Sequence, residues 1–312
     1  MNKFISQILK FIFFCLFTLQ ISGLFLDYQF SKNNQEKVNW ITNLKNNYYD
    51  YIVLGTSRVF NMVDLNIIDN TIKTNGINLG YGGADFRFNY LSLYVFLKNN
   101  NKTEKIFIQI DPFEIYPNDT YHTPMTDSYF FKYSYQSEIL NTLSENYYNW
   151  QSNLYYYFPI INLIEHNNIY NMTRFIKSFK KTSKYDRTKG SSLFEDYLDF
   201  IPPKDSISDN AKNNPSSKKL KYLYKIIKLC REKNIKVYIF TAPIYNYNKY
   251  YLKKYPQFEK DLESILEQFH IKYYNYRDLF KENQPDLFKD LIHLNSLGIE
   301  KFSKELINMV EE

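Results

Sequence analysis

The sequence predicts a three-layer α/β domain with a central parallel sheet, an apolar N-terminal helix and a mainly helical insertion. Short apolar runs alternate with amphipathic helical patterns along most of the chain. Nearly continuous apolar strands are typical of a parallel sheet that is covered on both faces. A run of 16 uncharged residues near the N-terminus predicts the additional helix.

The first element, residues 1–30, is a predicted membrane anchor. Its uncharged run covers residues 11–26, with two lysines before it and an aspartate directly after it. Positive charge before an apolar helix favours a cytoplasmic N-terminus, so we expect the rest of the chain in the periplasm or outside the cell. A cleaved signal peptide is the alternative. The stretch ISG at 21–23 is a poor cleavage site, which favours the retained anchor.

Five apolar segments follow as predicted strands, and helical patterns separate them. The third strand has helical segments on either side of it, which favours a central place in the sheet. The predicted strands are DYIVLG (50–55), GINLG (76–80), KIFIQID (105–111), IKVYIFTAP (235–243) and IKYYNYRDLF (271–280). The predicted helices are 86–100, 216–234, 258–269 and 299–312.

Residues 112–215 interrupt this alternation and are too long for an ordinary connection. We predict a mostly helical insertion in this segment, acting as a cap. The α/β domain then consists of residues 31–111 and 216–312. The tyrosine-rich segment at 147–158 is either the core of the insertion or a surface that stacks on sugar rings.

Composition excludes several classes of protein. The net charge is +6, but the lysines are scattered rather than gathered in one stripe, so we predict no nucleic-acid partner. The exported part has one cysteine, Cys230, and therefore no intramolecular disulfide. The four histidines are far apart in sequence, so we predict no metal site and no cofactor. The 19% aromatic content reflects either codon bias or a ring-lined carbohydrate groove.

Glycine is rare, with eight in the chain, and six of them fall in or beside three short stretches. These are GTSR (55–58), GINLGYGGADF (76–86) and DLIHLNSLG (290–298). Glycine is required where the backbone approaches another group closely or adopts unusual dihedrals. Loops at the carboxyl ends of parallel strands form the ligand crevice. The three stretches are therefore candidate parts of one site.

Two of these stretches carry residues for nucleophilic catalysis. Ser57 follows a strand and enters a helix, where it is either a nucleophile or a helix cap. Asp290 and His293 are three residues apart, so in a turn the carboxylate reaches the imidazole Nδ1–H and leaves Nε2 to accept a proton from a serine. Alternatively, Asp290 is a solvated turn residue and His293 packs on the following helix, which Asn295 is placed to cap.

Together, G-T-S, the glycine-rich loop and D-x-x-H-x-N-x-x-G resemble the blocks of the SGNH/GDSL hydrolase superfamily. The resemblance covers residues 50–111 and 235–312, and it implies a flavodoxin-like three-layer sandwich. It implies Ser57 as nucleophile, His293 as general base and Asp290 as the orienting carboxylate. It also implies an oxyanion hole formed by the N–H of Ser57 and by a glycine N–H from Gly80, Gly82 or Gly83.

The chain departs from that pattern at two places. Thr56 stands where the family has an aspartate, and the third strand ends in IQIDPFE, with Asp111 where an asparagine donor is usual. An ionised aspartate repels an oxyanion, so Asp111 cannot replace that donor. Arg58 either binds an acidic sugar or phosphate or pairs with Asp85 or Asp111, and both Arg58 and Asp111 are candidate substrate-binding residues.

The anchor, G-[ST]-S-R and D-P-F-E together resemble membrane-anchored SGNH-like proteins of bacterial envelopes that act in O-acylation. This resemblance implies a serine-dependent acyltransferase or esterase acting on O-acyl groups, chiefly acetyl, of a cell-envelope glycan. It also implies a membrane-bound O-acyltransferase as a partner. The alternative is a non-catalytic glycan-binding or scaffold subunit of such a complex.

Overall fold

The structure, a computed structural model, describes residues 2–117, 127–166, 183–194, 214–246, 254–280 and 284–312. A five-stranded parallel sheet is formed by β1 (Tyr48–Leu54), β2 (Gly76–Asn78), β3 (Lys102–Gln109), β4 (Lys236–Thr241) and β5 (Lys272–Asn275). Its strand order is β2-β1-β3-β4-β5, which is the flavodoxin-like order. The predicted fold class is confirmed, and β3 is the central strand as predicted.

Helices occupy most of the remaining described chain. In chain order they are α1 (Asn2–Ser31), α2 (Lys37–Asn43), α3 (Ser57–Phe60), α4 (Leu65–Ile72), α5 (Phe86–Lys98), α6 (Pro112–Ile115), α7 (Ser137–Leu143), α8 (Asn149–Tyr157), α9 (Pro159–His166), α10 (Lys184–Arg187), α11 (Ser217–Glu232), α12 (Phe258–Glu267), α13 (Ser296–Glu305) and α14 (Ile307–Glu311).

Helices cover both faces of the sheet because both faces are apolar. Tyr51 and Val53 of β1 point to one face, where they form a buried cluster with residues of α4, α13 and α14. Ile52 and Leu54 point to the opposite face by the two-residue period of a strand, and they are also fully buried. On that side α5 and α11 pack together and α11 contacts β4. Residues that point to either face are therefore buried, and this explains the nearly continuous apolar pattern of the strand in the sequence.

The element boundaries differ from the predicted ones where pairing or capping decides them. β1 begins two residues earlier than predicted because Tyr48 and Tyr49 pair with the start of β3. The helix predicted over 299–312 is two helices, since α13 ends at Glu305 and α14 begins at Ile307. The helix expected to start at Ser57 is seen as α3, whereas α4 was not predicted because it is only eight residues long.

The chain forms two compact units. The first consists of Met1–Asn43 and Thr123–Ser183, and the second, which contains the sheet, consists of Leu44–His122 and Lys184–Glu312. The predicted domain boundaries at 30, 111 and 216 stay predictions. Parts of the predicted insertion, at 118–126, 167–182 and 195–213, lie outside the described residues.

Aromatic side chains build the core of the first unit. The ring of Phe131 lies 4.6 Å from that of Tyr155 and 5.0 Å from that of Tyr147, between centroids. Part of the tyrosine-rich segment is therefore core. Other members of the same segment, Tyr148 and Trp150 among them, are exposed.

Helix α1 belongs to the first unit and has the length and composition of a membrane span. Lys3–Ser31 has a mean hydropathy of 2.0 in its most apolar window. This helix has the properties of a membrane anchor and equally those of a signal sequence.

Candidate active site

Ser57 is the first residue of α3, directly beyond the carboxyl end of β1. Thr56 caps this helix, since its hydroxyl accepts the N–H of Arg58. Gly55 makes the tight passage from strand to helix possible. A Cβ atom at Gly55 would lie 2.6 Å from Val59 Cγ2 and 2.8 Å from Gln109 Oε1, so no larger residue fits without displacing its neighbours.

His293 lies against this serine although 236 positions separate them in sequence. The distance from Ser57 Oγ to His293 Nε2 is 2.8 Å. On the other side of the ring, Nδ1 lies 2.8 Å from Asp290 Oδ2 and 3.1 Å from Asp290 Oδ1. An ionised carboxylate accepts a proton-bearing Nδ1, and this tautomer leaves the lone pair of Nε2 facing the serine hydroxyl. The structure thus brings together Ser57, His293 and Asp290 in the order of a nucleophile, a base and an orienting acid.

The charge on Asp290 is held in place by its own loop. Burial acts to raise the pKa of Asp290, but hydrogen bonds from His293 and from two backbone N–H groups, with the charge of the imidazole, lower it below its ordinary value. The two backbone donors are the N–H groups of Ile292 and His293, each 2.8 Å from Asp290 Oδ1. Asp290 is therefore ionised at neutral pH, as the orienting role requires.

The start of α13 fixes the position of the histidine loop. Asn295 caps α13 by accepting the N–H of Gly298 at 3.1 Å, and its amide donates to the carbonyl of Asp286 at 2.6 Å. A Cβ atom at Gly298 would lie only 2.2 Å from the carbonyl oxygen of Leu287. Glycine at 298 is thus a requirement of close backbone packing, and the predicted capping role of Asn295 is seen.

The structure separates the three candidate oxyanion glycines. The N–H of Gly80 already donates to Asn78 Oδ1 at 2.9 Å, so it is not directed at the serine. Gly82 and Gly83 are exposed, and within the described residues their N–H groups have no hydrogen-bond acceptor. Gly83 has a φ of 72°, a conformation that favours glycine.

The N–H of Ser57 likewise has no acceptor in the described part of the chain. The glycine loop is tied to the serine loop because Tyr81 N–H donates to the carbonyl of Gly55 at 3.2 Å. Among the described residues the N–H groups of Ser57, Gly82 and Gly83 are thus unbonded, and their part in an oxyanion hole stays a prediction.

Arg58 and Asp111 form a buried ion pair rather than a binding surface. Both side chains are fully buried, and Arg58 Nη1 donates to Asp111 Oδ1 while Nη2 donates to the carbonyl of Pro243. The alternative partner, Asp85, instead caps α5 by accepting the N–H of Phe88. The candidate role of Arg58 and Asp111 in binding substrate therefore does not fit their burial. Their contacts join the loops that follow β1, β3 and β4.

Two residues at this edge of the sheet were missed by sequence reasoning. Gln109, the last residue of β3, accepts the N–H and the hydroxyl of Thr56 through Oε1, at 3.3 Å and 3.1 Å. Its contacts hold the cap residue that precedes Ser57. Gln109 is part of the stretch IQIDPFE, but its contact with Thr56 could not be predicted from it, because the contact depends on the pairing of β1 with β3.

Phe194 is the second missed residue, and no motif marks it. Its ring meets the ring of His293 edge to face, at 5.6 Å between centroids and 84° between planes. Phe194 also lines a groove of about 700 Å³. Charged and hydroxyl side chains share the lining, among them Lys184, Arg187, Ser192, Glu300 and Lys304.

Comparison with known proteins found likenesses in solved structures alone, since no protein-family profile and no curated protein matches the sequence. One is a protein of Bacteroides fragilis NCTC 9343 with the provisional description of an acylhydrolase, at 12% identity and a TM-score of 0.38, covering 90% of this chain and 98% of that one. Another, from Streptococcus pneumoniae, is provisionally described as a platelet activating factor. It has 12% identity and a TM-score of 0.44, and the likeness covers 95% of this chain and 99% of that one. The chemistry of the site therefore rests on its own geometry.

Proposed function

We propose that this protein transfers or hydrolyses O-acyl groups through a covalent acyl-Ser57 intermediate. The observation that carries the proposal is the 2.8 Å contact between Ser57 Oγ and His293 Nε2, in line with the contact between His293 Nδ1 and Asp290. A serine hydroxyl is a weak nucleophile on its own and becomes effective when an oriented base removes its proton.

The reaction proceeds in two balanced halves. In the first, Ser57 Oγ attacks the ester carbonyl as its proton passes to His293 Nε2, and the resulting oxyanion is stabilised by N–H groups of Ser57 and of Gly82 or Gly83. The tetrahedral intermediate collapses to the acyl-enzyme, and His293 returns the proton to the leaving alcohol. In the second half an acceptor hydroxyl gives its proton to His293 Nε2 and attacks the acyl carbonyl. The bond between the acyl carbon and Ser57 Oγ then breaks, and His293 returns the proton to Ser57 Oγ.

The groove that Phe194 lines, next to the ring contact of Phe194 with His293, supports a glycan as the substrate. Its lining combines hydroxyl groups and charges of both signs with the ring of Phe194, and this combination suits the hydroxyl groups and apolar faces of sugars. The proposed acyl group is acetyl, and the proposed acceptor is a hydroxyl of a cell-envelope polysaccharide or, for an esterase, water. The apolar helix α1 supports a site of action at a membrane, and the proposal places the sheet-containing unit outside the cytoplasm with a membrane-bound O-acyltransferase as acyl donor.

A fluorophosphonate probe tests the nucleophile in the full-length protein in detergent. We expect covalent labelling of the native protein and its loss in Ser57→Ala and in His293→Ala. Ser296→Ala is the matched control, because Ser296 is also a partly buried serine at the first position of a helix but lacks a histidine partner. Hydrolysis of p-nitrophenyl acetate should fall by about 10³-fold or more in Ser57→Ala.

The alternative of a non-catalytic glycan-binding subunit gives a different result. A folded native protein that is neither labelled nor active on the ester, yet binds envelope polysaccharide, would contradict acyl-enzyme chemistry and favour that alternative. Labelling that persists in Ser57→Ala would place the nucleophile elsewhere.

A further inference from the structure

Helices α8 and α9 form a hairpin whose tip packs against α1. The amide Nε2 of Gln20 donates to the carbonyl of Tyr157, at the end of α8, over 2.5 Å. Three residues further along the chain, Ile160 packs closely on Gly23. A Cβ atom added to Gly23 would lie 2.8 Å from Ile160 Cβ. The small residue at 23 thus lets α9 approach the backbone of α1, as small residues do between helices in membranes.

This contact lies within the apolar part of α1. The uncharged run ends at Leu26, and with a rise of about 1.5 Å per residue Gln20 is about 9 Å inside that end. A helix needs about 20 residues to cross the hydrocarbon core. A span that ends near Leu26 therefore includes both Gln20 and Gly23, and it places the hairpin tip at the depth of the lipid.

The hairpin exposes several large apolar and aromatic side chains, beside the polar Asn149 and Asn153 of α8. Trp150 and Tyr157 are each 62% exposed and Phe158 is 46% exposed, and Trp150, Leu154 and Tyr157 follow the i, i+4, i+7 spacing of one helical face. Ile164, on α9, is 64% exposed. Such a surface is costly in water but favourable at a bilayer, where Trp and Tyr concentrate at the interface.

The charge pattern agrees with this surface. Residues 146–164, which include all of the hairpin except the last two residues of α9, contain no Asp, Glu, Lys or Arg, while 23% of the chain is charged. The nearest charges are Glu145 and Glu165, directly outside the segment. A solvated helical hairpin has no reason to exclude charge over a segment of this length, whereas a hairpin that dips into lipid does.

We propose that the α8–α9 hairpin is a second membrane contact, whose tip at Tyr157 and Phe158 inserts into the leaflet from which α1 emerges. The occupant of its exposed face is the lipid bilayer. This inference rests on α1 being retained in the membrane, and it is independent of the acyl chemistry at Ser57. Cleavage near Gly23 would remove the surface on which Ile160 packs, so the hairpin also gives a structural reason to keep α1.

Quenching of tryptophan emission by lipids brominated on their acyl chains tests the contact in proteoliposomes of the full chain. The protein has two tryptophans, of which Trp40 is 4% exposed and Trp150 is 62% exposed. In Trp40→Phe the remaining emission comes from Trp150 in the unchanged hairpin. In Trp150→Phe it comes from Trp40, which is the buried reference. Phe158→Trp, in a background lacking both native tryptophans, reports on the tip.

We expect the bromolipids to quench the emission of Phe158→Trp at least about threefold more than that of Trp40, with Trp150 in between, as its interfacial place implies. Phe17→Trp in the same background is the reference for α1. If Phe17→Trp is quenched but Phe158→Trp is no more quenched than Trp40, the hairpin contact is overturned and the anchor stands. If Phe17→Trp is not quenched either, the premise fails and the inference fails with it.

Discussion

A single carboxylate, Asp290, has two kinds of contact in the candidate active site. Its Oδ1 accepts the N–H groups of Ile292 and His293, while Oδ2 makes its shortest contact with the imidazole Nδ1. The backbone contacts set the shape of the loop, and the imidazole contact sets the tautomer of His293. The two contributions can be separated by an isosteric change.

Asp290→Asn should abolish turnover while leaving the loop folded. The asparagine oxygen still accepts the two backbone N–H groups, but its NH₂ group donates towards Nδ1 and favours the tautomer with the proton on Nε2. That tautomer cannot take the proton of Ser57, so kcat should fall by about 10³ to 10⁴-fold. Ester hydrolysis gives kcat and KM, and circular dichroism checks the fold. Activity within about tenfold of native would contradict the orienting role of Asp290.

A second carboxylate, Glu114, is buried beside the Arg58–Asp111 pair. Its Oε2 accepts the N–H of Asp111 at 2.8 Å. Burial, followed by the charge of Asp111, raises the pKa of Glu114 well above its ordinary value of 4.5. The folded protein therefore keeps a proton on Glu114 at a pH where the unfolded chain has released it.

The free energy of unfolding should consequently fall as the pH rises above about 4.5 towards the raised pKa, by about 1.4 kcal/mol per pH unit for this one proton. Glu114→Gln removes this proton and retains the amide oxygen as acceptor, so it should flatten the decline. Thermal unfolding of the detergent-solubilised protein between pH 5 and pH 8 measures the effect. Glu263→Gln, on the exposed face of α12, is the control. An unchanged slope in Glu114→Gln would show that Glu114 is ionised in the folded protein.

At the scale of elements, short helices with strong caps position the candidate catalytic groups. Helix α3 has four residues and contributes little stability of its own, yet Thr56 and Gln109 fix its first turn next to β3. Helix α13 begins directly after the histidine loop and is held by Asn295 and by the contact of Gly298 with Leu287. Strand ends and helix starts therefore set the distance between Ser57 and His293.

Gly298→Ala should distort the start of α13 and lower activity. The new Cβ would lie 2.2 Å from the carbonyl oxygen of Leu287, and relieving such a clash typically costs about 1–3 kcal/mol of stability. Gly82→Ala is the matched control because its Cβ meets no atom within 4 Å and keeps its backbone N–H. Thermal unfolding of both variants gives the comparison of stability, and ester hydrolysis of Gly298→Ala against the native protein measures the loss of activity. Equal stability of the two variants would contradict the packing role of Gly298.

At the scale of the whole molecule, the strand order determines what the site contains. The order β2-β1-β3-β4-β5 places β1 next to β3 and β3 next to β4. The segments beyond their carboxyl ends, which carry Ser57, Asp111 and Pro243, therefore meet at one edge of the sheet. Arg58 contacts both of the other two segments. Removing one partner of such a buried pair typically costs about 3–5 kcal/mol, so the pair joins the three loops firmly.

The apolar helix α1 gives a prediction for the whole chain. Because α9 packs on Gly23, we expect α1 to stay attached after export. The native protein should remain in the membrane fraction after extraction with alkaline carbonate, and its intact mass should include residues 1–31. A mature N-terminus close to residue 23 and release into the soluble fraction would instead identify a cleaved signal sequence.

Most of the fold followed from local patterns in the sequence. Apolar strand runs and helical spacing predicted all five strands and the helices α5, α11 and α12, because burial on both faces of a sheet demands continuous apolar residues. The short helix α4 was missed, since eight residues carry too little periodicity. The exact start of β1 depended on its partner β3, which local patterns do not contain.

By itself, the sequence determined the fold class, because strand composition is a local property. It also indicated Ser57, Asp290 and His293 as candidates, because the G-T-S and D-x-x-H blocks together resemble those of the SGNH/GDSL superfamily. The tertiary structure alone decided that Gly80 N–H is occupied by Asn78, that Arg58 is buried against Asp111, and that Phe194 faces His293. Each of these contacts joins residues whose side-chain directions depend on the sheet order and on the packing of distant segments. A hydrogen bond needs an alignment within a few tenths of an ångström, and only the assembled fold provides it.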